Sequence, residues 1–488
     1  MTDQRISSRR LRNSLRLVTR IALATIVVAG TSVGVAGILR RPERSAVEFG
    51  DSSGPLISLA RSSESVGAAL SALTMRERAA TAMNSRELSG LPACLDIRTE
   101  WGATIYSRGD SEARAIASNT KLFLTAAALL KLGPESRIKT SVVGNVGPDG
   151  RVPGGLWLVG GGDPYLSTLE FKAWEESQEV QRPTTSLAAL ADSVVAAGVK
   201  SVPQVIGDAR VFDANAIVGT HSRDLIAQKV IPPISGLSVN RNIKDWATAP
   251  KNNPTFVDNP ATAGAAELTR LLRERGVTIG GAPTSGPAPE GAKEIASVES
   301  APMVQIVTEI NEESDNFAAE MLLKYLGAAS GGAGSTERGV EVMREAIQSL
   351  RVDMEGLTLS DGSGLSRNAS KCRTLSDLLV AMLATPFAED FEKSLAVAGV
   401  SGTLKKRFVG TPVEAKLKAK TGSLNDVAAL SGYVQEDSDE RLVFAFVLSV
   451  PKADRVRIGA EDAIARMLVD YPSDSGPPAL GNSTGGGG

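Results

Sequence analysis

Residues 118–132 read SNTKLFLTAAALLKL. The run is apolar almost all round from Lys121 to Leu132, as in a helix buried on every side, and Gly133-Pro134 stops it. Ser118 stands at the first turn, and Lys121, three residues on, shares its face. The positive end of the helix favours negative charge developing at the serine. Ser-x-x-Lys recurs at Ser136 to Lys139 and at Ser449 to Lys452, but the former precedes an expected strand and Pro451 spoils the latter. Two further motifs follow in order: Ser314-Asp315-Asn316 and Lys420-Thr421-Gly422. Ser-x-Asn also occurs at Ser238, Ser366 and Ser423, whereas Lys-Thr-Gly occurs once. Singly, each is most simply a cap or a solvated loop. Together, in this order, they are expected to form one site, in which Lys121 is placed to serve as base to a Ser118 nucleophile.

Composition narrows the alternatives. The 488 residues include one histidine, His221, and two cysteines, Cys94 and Cys372. Three such residues cannot build a Cys- or His-rich zinc site, and a Ser-His-Asp arrangement would run through His221 alone. His221 lies between Thr220 and Ser222 and reads as a surface or structural histidine. Gly160 to Pro164 resembles a phosphate loop but lacks the Gly-Lys-[Ser/Thr] ending, so it reads as a tight turn. No metal and no cofactor are expected. A net charge of −2 and a pI near 5.9 argue against nucleic acid as a partner.

The ends carry the addressing. Arg5, Arg9, Arg10, Arg12, Arg16 and Arg20 precede an uncharged run from Ile21 to Leu39. Those nineteen residues suffice to cross a bilayer, and the arginines keep the N-terminus in the cytoplasm. An uncleaved membrane anchor is expected. A signal peptide cleaved near Gly34 and Ala36 is the alternative, and Arg9-Arg10 weakly resembles a twin-arginine signal. Either way, the rest of the chain is expected on the extracytoplasmic face of the membrane. Residues 473–488, rich in Ser, Pro and Gly, cannot offset their ordering entropy and are expected to be disordered.

Between the ends, residues 40–90 read as a stalk with a lead-in helix from Val66 to Ala82. Ala93 to Ile105 reads as a strand pair through Glu100-Trp101-Gly102, and Leu156 to Val159 as a strand. Leu187 to Ala197 and Thr262 to Arg275 read as helices ending at Gly198 and Gly276. Over Glu313 to Leu326, Phe317, Met321 and Tyr325 recur at i+4, with Glu320 and Lys324 expected as an outward pair. Val427–Val434 and Arg441–Val450 flank a turn and read as a hairpin, with an amphipathic helix from Ile458 to Leu468. The order implies an α+β fold: a catalytic domain from 91–137 and 291–472, interrupted by an inserted, mostly β segment at 138–290.

The three motifs resemble those of penicillin-binding proteins and serine β-lactamases. The chain from about Leu91 to Leu468 is similar to the class C low-molecular-mass penicillin-binding proteins, the D-alanyl-D-alanine carboxypeptidase/endopeptidase family. Leu156 to Pro164, Leu237 to Asn242, Asp361 to Arg367 and Gly402 to Phe408 carry the likeness further, as does the separation of 196 positions from Ser118 to Ser314. Departures are Ile116 where proline is frequent and Ser423 where threonine is usual; the hydroxyl survives. The resemblance implies Ser118 as nucleophile and a neutral Lys121 as base, its pKa lowered by burial beside Lys420. Ser314 relays the proton to the leaving amine, and Asn316 orients substrate and Lys121. Lys420, Thr421, Gly422 and Ser423 hold the terminal carboxylate. The Ser118 and Ser423 N–H groups form an oxyanion hole worth about 3–4 kcal/mol per donor. Asp361 to Gly364 is expected to be a structural segment near the site.

The function implied is a serine D-alanyl-D-alanine carboxypeptidase, or DD-endopeptidase, acting on peptidoglycan peptides and inhibited by β-lactams. A β-lactamase or esterase on the same site, or a non-catalytic wall-binding relative, are the alternatives. No deacylating carboxylate of the class A kind is identifiable for the first, and no catalytic side chain is missing for the second. Export and a shared catalytic domain point to a Cys94–Cys372 disulfide.

Overall fold

The structure, a computed structural model, describes residues 59–86, 88–218, 224–248, 254–332, 334–435, 441–450 and 454–469. The basic stretch 1–20, the run 21–39, His221, the turn at 436–440 and the tail 473–488 lie outside the described residues. Among the described residues no helix is long and apolar enough to cross a membrane.

The longer elements follow the chain in a simple order. Helix α1 (Leu59–Met83) leads into β1 (Ala93–Thr99), β2 (Thr104–Arg108) and α2 (Thr120–Leu132). An inserted stretch contributes β3 (Lys139–Gly144), β4 (Leu156–Val159), α3 (Leu169–Ser177), α4 (Leu187–Ala196) and β5 (Val205–Asp208). It continues with α5 (Pro260–Glu274), β6 (Thr284–Ser285) and β7 (Lys293–Glu299). The chain returns through α6 (Met303–Glu312), α7 (Asn316–Ala329), α8 (Thr336–Ser349) and α9 (Cys372–Leu383). It ends in β8 (Ala396–Val397), β9 (Leu417–Leu424), β10 (Val427–Gln435), β11 (Arg441–Ser449) and α10 (Asp454–Val469).

The main sheet is antiparallel in the order β8-β9-β10-β11-β1-β2. Alternate residues of its strands enter two different cores. Val443, Ala445 and Val447 of β11 face the helical side with α2, α6, α7, α8 and α9. Leu442, Phe444, Phe446 and Leu448 face the other side, toward α10 and the Met75-Ala79-Met83 stripe of α1. Burial on both faces is why β11 reads as an unbroken apolar run from Leu442 to Leu448 rather than an alternating one. The lead-in helix therefore packs on the sheet of the catalytic body, upstream of the expected start at 91. Cys94 and Cys372, 278 residues apart, are disulfide-bonded with Cα atoms 6.0 Å apart, joining β1 to the start of α9.

The inserted stretch has its own core and a five-stranded sheet in the order β6-β5-β4-β3-β7. It is mixed α/β, which corrects the mostly β expectation. Two helices, α4 and α5, pack on that sheet, and all three longer helices of the stretch are started by a capping side chain. Thr168 accepts from Phe171 N–H, Ser186 from Ala189 N–H and Asn259 from Thr262 N–H. Its boundary also moves: β7 pairs with β3, Val298 opposite Thr140, so the sheet extends beyond 290 to Glu299.

Candidate active site

Ser118 sits in a 3₁₀ turn, Ala117–Asn119, immediately before α2. Ala117 has φ +48°, an uncommon conformation for a residue with a Cβ, and such strain persists only where the surroundings over-determine it. The Asp361-to-Asn368 segment provides that constraint. Gly364 has φ +91°, and a Cβ there would fall 1.9 Å from the Ala117 carbonyl oxygen, so only glycine fits. The Asp361 carboxylate accepts from Gly364 N–H, Ser366 N–H and Asn368 Nδ2 at 2.8, 2.6 and 2.7 Å. Asn368 Nδ2 also donates to Thr120 Oγ1 at 3.2 Å, which ties the loop to the first turn of α2.

Lys121 is fully buried. Its Nζ lies 2.7 Å from Asn316 Oδ1, 2.7 Å from the Ser363 carbonyl oxygen and 3.1 Å from Ser118 Oγ. An ammonium can donate to all three. A neutral amine has two hydrogens, which the two shorter contacts occupy, so its lone pair faces the serine hydroxyl. Burial lowers the Lys121 pKa to about 8, against the opposing pull of Glu320, Asp361 and Asp315. Lys420, also fully buried, is pushed well below the ordinary lysine range by burial and then by the charge of Lys121. The expected cause is thus refined: burial itself lowers Lys121, and the mutual repulsion of the two lysines falls on Lys420.

The second motif caps α7. Ser314 has φ +58°, Asp315 Oδ1 accepts from Ala318 N–H at 3.1 Å, and Asn316 is the first helical residue. Asp315 is buried against Arg241, whose Nη1 and Nη2 donate to its two oxygens at 2.7 and 2.9 Å. Ser314 Oγ makes no hydrogen bond among the described residues. The third motif lies on β9, where Lys420 pairs with Ser431 and Gly422 with Ala429. A Cβ on Gly422 would lie 2.9 Å from both Ile116 O and Asn119 Nδ2, so the strand runs hard against the serine turn. Lys420 Nζ donates to the Thr421 carbonyl oxygen at 3.0 Å, Thr421 Oγ1 donates to Thr403 Oγ1 at 2.9 Å, and Ser423 is exposed. Ser136 instead donates to Gly133 O at the end of α2.

One expectation is overturned. Glu320 and Lys324 are fully buried rather than paired on the outside. Glu320 accepts from Gly362 N–H at 3.1 Å and Ser363 N–H at 2.9 Å, presenting the carbonyl that Lys121 contacts. Lys324 donates to Asp213 Oδ1 and to Asn215 O of the inserted stretch. Sequence reading also missed Arg241, Ser363, Asn368 and Thr403 as supports. The signal for Arg241, Ser363 and Thr403 was membership of the blocks at 237–242, 361–367 and 402–408; Asn368 falls just outside the second.

Residues 80–255 and 247–470 match the D-Ala-D-Ala carboxypeptidase 3 (S13) family. The chain is 31% identical over 445 residues to a D-alanyl-D-alanine carboxypeptidase of an Actinomadura species, covering 78% of this chain and 81% of that one. It is 28% identical over 379 residues to carboxypeptidase DacB of Mycolicibacterium smegmatis, covering 75% and 78%. The crystal structure of penicillin binding protein 4 (dacB) from Haemophilus influenzae is similar in fold, with TM-score 0.64 and 20% identity, covering 81% of this chain and 98% of that one.

Proposed function

The chain belongs to the D-Ala-D-Ala carboxypeptidase 3 (S13) family, and we propose that Ser118 is its acylated nucleophile and Lys121 the general base. It is a serine D-alanyl-D-alanine carboxypeptidase, a hydrolase among the class C low-molecular-mass penicillin-binding proteins. The observation that carries the residue assignment is the hydrogen count at Lys121. With Asn316 Oδ1 and the Ser363 carbonyl taking both protons of the neutral amine, the lone pair is left for Ser118 Oγ.

In the proposed cycle Ser118 Oγ attacks the carbonyl carbon of the bond between the last two D-alanines. Its proton passes to Lys121 Nζ, while backbone N–H groups of Ser118 and Ser423 hold the oxyanion. The C–N bond breaks as the proton travels through Ser314 to the departing amine of the terminal D-alanine. Water, deprotonated by the same lysine, then releases the acyl group from Ser118. Lys420, Thr421 and Ser423 bind the terminal carboxylate, and Gly422 lets their strand approach the serine turn. A β-lactam enters the same route and stops at the acyl-enzyme; the Haemophilus influenzae protein similar in fold has been crystallised complexed with a β-lactam. We further propose that the enzyme works on the outer face of a bacterial membrane, held by residues 21–39. The six arginines before that uncharged run support this placement.

Incubation with a fluorescent penicillin should label the full chain covalently, and Ser118→Ala should abolish the label while Ser136→Ala keeps it. An acyl adduct on the Ser118→Ala protein, seen by intact-protein mass spectrometry, would sink the assignment. Rapid release of the label in a chase with unlabelled drug would favour a β-lactamase instead.

A further inference from the structure

The inserted stretch reaches the second motif through a strained strap. Asn240, Arg241 and Asn242 have φ +52°, +55° and +56°, three successive left-handed residues. Asparagine tolerates that conformation better than arginine. The strap is pinned on both sides: Asn240 Oδ1 accepts from Thr168 N–H at 2.8 Å, and Asn242 Nδ2 donates to the Pro233 carbonyl at 2.8 Å. Held between them, the Arg241 guanidinium forks onto both oxygens of Asp315 and lies over the Phe317 ring, 4.9 Å from its centroid. Two turns further along α7, Lys324 makes a second tie from the same helix to the inserted stretch at Asp213.

We propose that Arg241 is a positioning residue for acylation: by gripping Asp315 it fixes the Ser314-Asp315-Asn316 turn and so keeps Asn316 Oδ1 on Lys121. Its premise is that Ser118 and Lys121 form the acylating pair. Asp315 is buried, and its other cation, Arg182, stands 3.7 Å away and is shared with Glu175 and Glu309. Without Arg241 the carboxylate is left nearly uncompensated, a costly state for a buried charge. The turn then has less to hold Ser314 in its left-handed conformation. Once Asn316 drifts, one proton of the neutral amine loses its acceptor and the lone pair is no longer aimed at Ser118.

The charge change has a signature of its own. Asp315 faces Arg241, Arg182, Glu309 and Tyr165; Lys121 faces Glu320, Asp361 and Asp315, with Lys420 across the site. Wherever Asp315 stays ionised, removing Arg241 leaves its field on Lys121 unopposed and favours the protonated lysine. Acylation needs the neutral form and rises with pH through the Lys121 pKa, so that limb moves to higher pH.

The test is stopped-flow acylation of the full chain by a fluorescent penicillin across about pH 6–10, with melting curves for each variant. Arg241→Gln should lower the limiting acylation rate about 100-fold, leave non-covalent affinity within about twofold, and move the limb up by about half a pH unit or more. Arg241→Lys keeps the charge without the fork. It should lose about tenfold in rate with its limb unmoved. Adding Asp315→Asn to Arg241→Gln should bring the limb back down. A wild-type rate and limb in Arg241→Gln would overturn the inference, and so would a rate loss explained by unfolding with the limb unmoved. If Arg241→Gln does not fold, a wild-type rate in Arg241→Lys overturns it alone. A wild-type enzyme that is never acylated would bring down the functional reading and this inference together; an acylated wild type with indifferent variants brings down this one only.

Discussion

Exchanging Glu320 for glutamine keeps the shape of the side chain and removes its charge, with two separable consequences. The first is structural. Glu320 is fully buried, and its two oxygens accept separately from Gly362 N–H and Ser363 N–H. An amide offers one acceptor oxygen, so one of those N–H groups would face the NH₂ group. A buried donor without an acceptor costs about 1–3 kcal/mol, a fall of a few degrees in melting temperature for a protein of this size. The second consequence is electrostatic. Among the carboxylates that hold the Lys121 pKa up, Glu320 is the largest contributor, and burial pulls the other way. With that charge gone, burial takes the pKa below about 8. On the proposed assignment, in which Lys121 is a base that must be neutral, it then becomes active at lower pH, so the rising limb of acylation against pH moves down. Were the pKa to fall by one unit, the neutral fraction at pH 7 would rise from about a tenth to about a half. The plateau at high pH should fall at the same time, because the Ser363 carbonyl that positions Lys121 rests on the same two hydrogen bonds. Rate constants for fluorescent-penicillin acylation from about pH 6 to 10, with a melting curve at each pH, separate the two effects. A folded Glu320→Gln enzyme whose limb stays put or moves up would refute the reasoning.

The disulfide and the third motif give two more predictions. Replacing both Cys94 and Cys372 with alanine opens a loop of 278 residues. That should cost up to about 6 kcal/mol in the chain-entropy account, read as a lower urea midpoint, with the folded double variant still acylated at room temperature; an unchanged midpoint would count against it. Gly422→Ala should slow acylation about 100-fold with a near-native circular dichroism spectrum, because the new methyl group meets Ile116 O and Asn119 Nδ2 at 2.9 Å. A wild-type rate would show that the strand has room to yield.

What was legible in the sequence was what is local along it. Ser118 and Lys121 are separated by one helical turn, Asp315 and Asn316 by one bond, and Lys420 to Ser423 lie on one strand. Short spacing alone marks such groups. Their supports are not local: Ser363 lies 242 residues from Lys121, and Arg241 lies 74 from Asp315. Glu320 and Lys324 show the limit from the other side. Their i+4 spacing correctly places them on one face of α7, but spacing cannot say whether that face meets water. It does not, because the Asp361 loop covers Glu320 and the inserted stretch supplies Asp213 to Lys324. Two helices of the inserted stretch were legible, at 187–197 and 262–275; the third, α3, LEFKAWEES, was not, because it is short and shows no strong apolar stripe. What starts it is the Thr168 cap.

Two buried lysines in one site must be kept different if one is to be a base, and the carboxylates around them do this. Lys121 is opposed in its descent by Glu320, Asp361 and Asp315, whereas among the described residues Glu313 alone pulls the Lys420 pKa up. Burial alone would lower the Lys121 pKa further and make it a feebler acceptor, since a lower pKa weakens the drive to take the serine proton. The three carboxylates return it to about 8, where an appreciable neutral fraction and useful basicity coexist. Lys420, with its ammonium disfavoured by burial and by Lys121, is suited to meet an anion, because a substrate carboxylate would bring the counter-charge that burial denies it. On the proposed assignment, the same residue type therefore performs two tasks. The difference between them lies in side chains remote in sequence, and one of the carboxylates, Asp315, is itself held by an arginine from the inserted stretch.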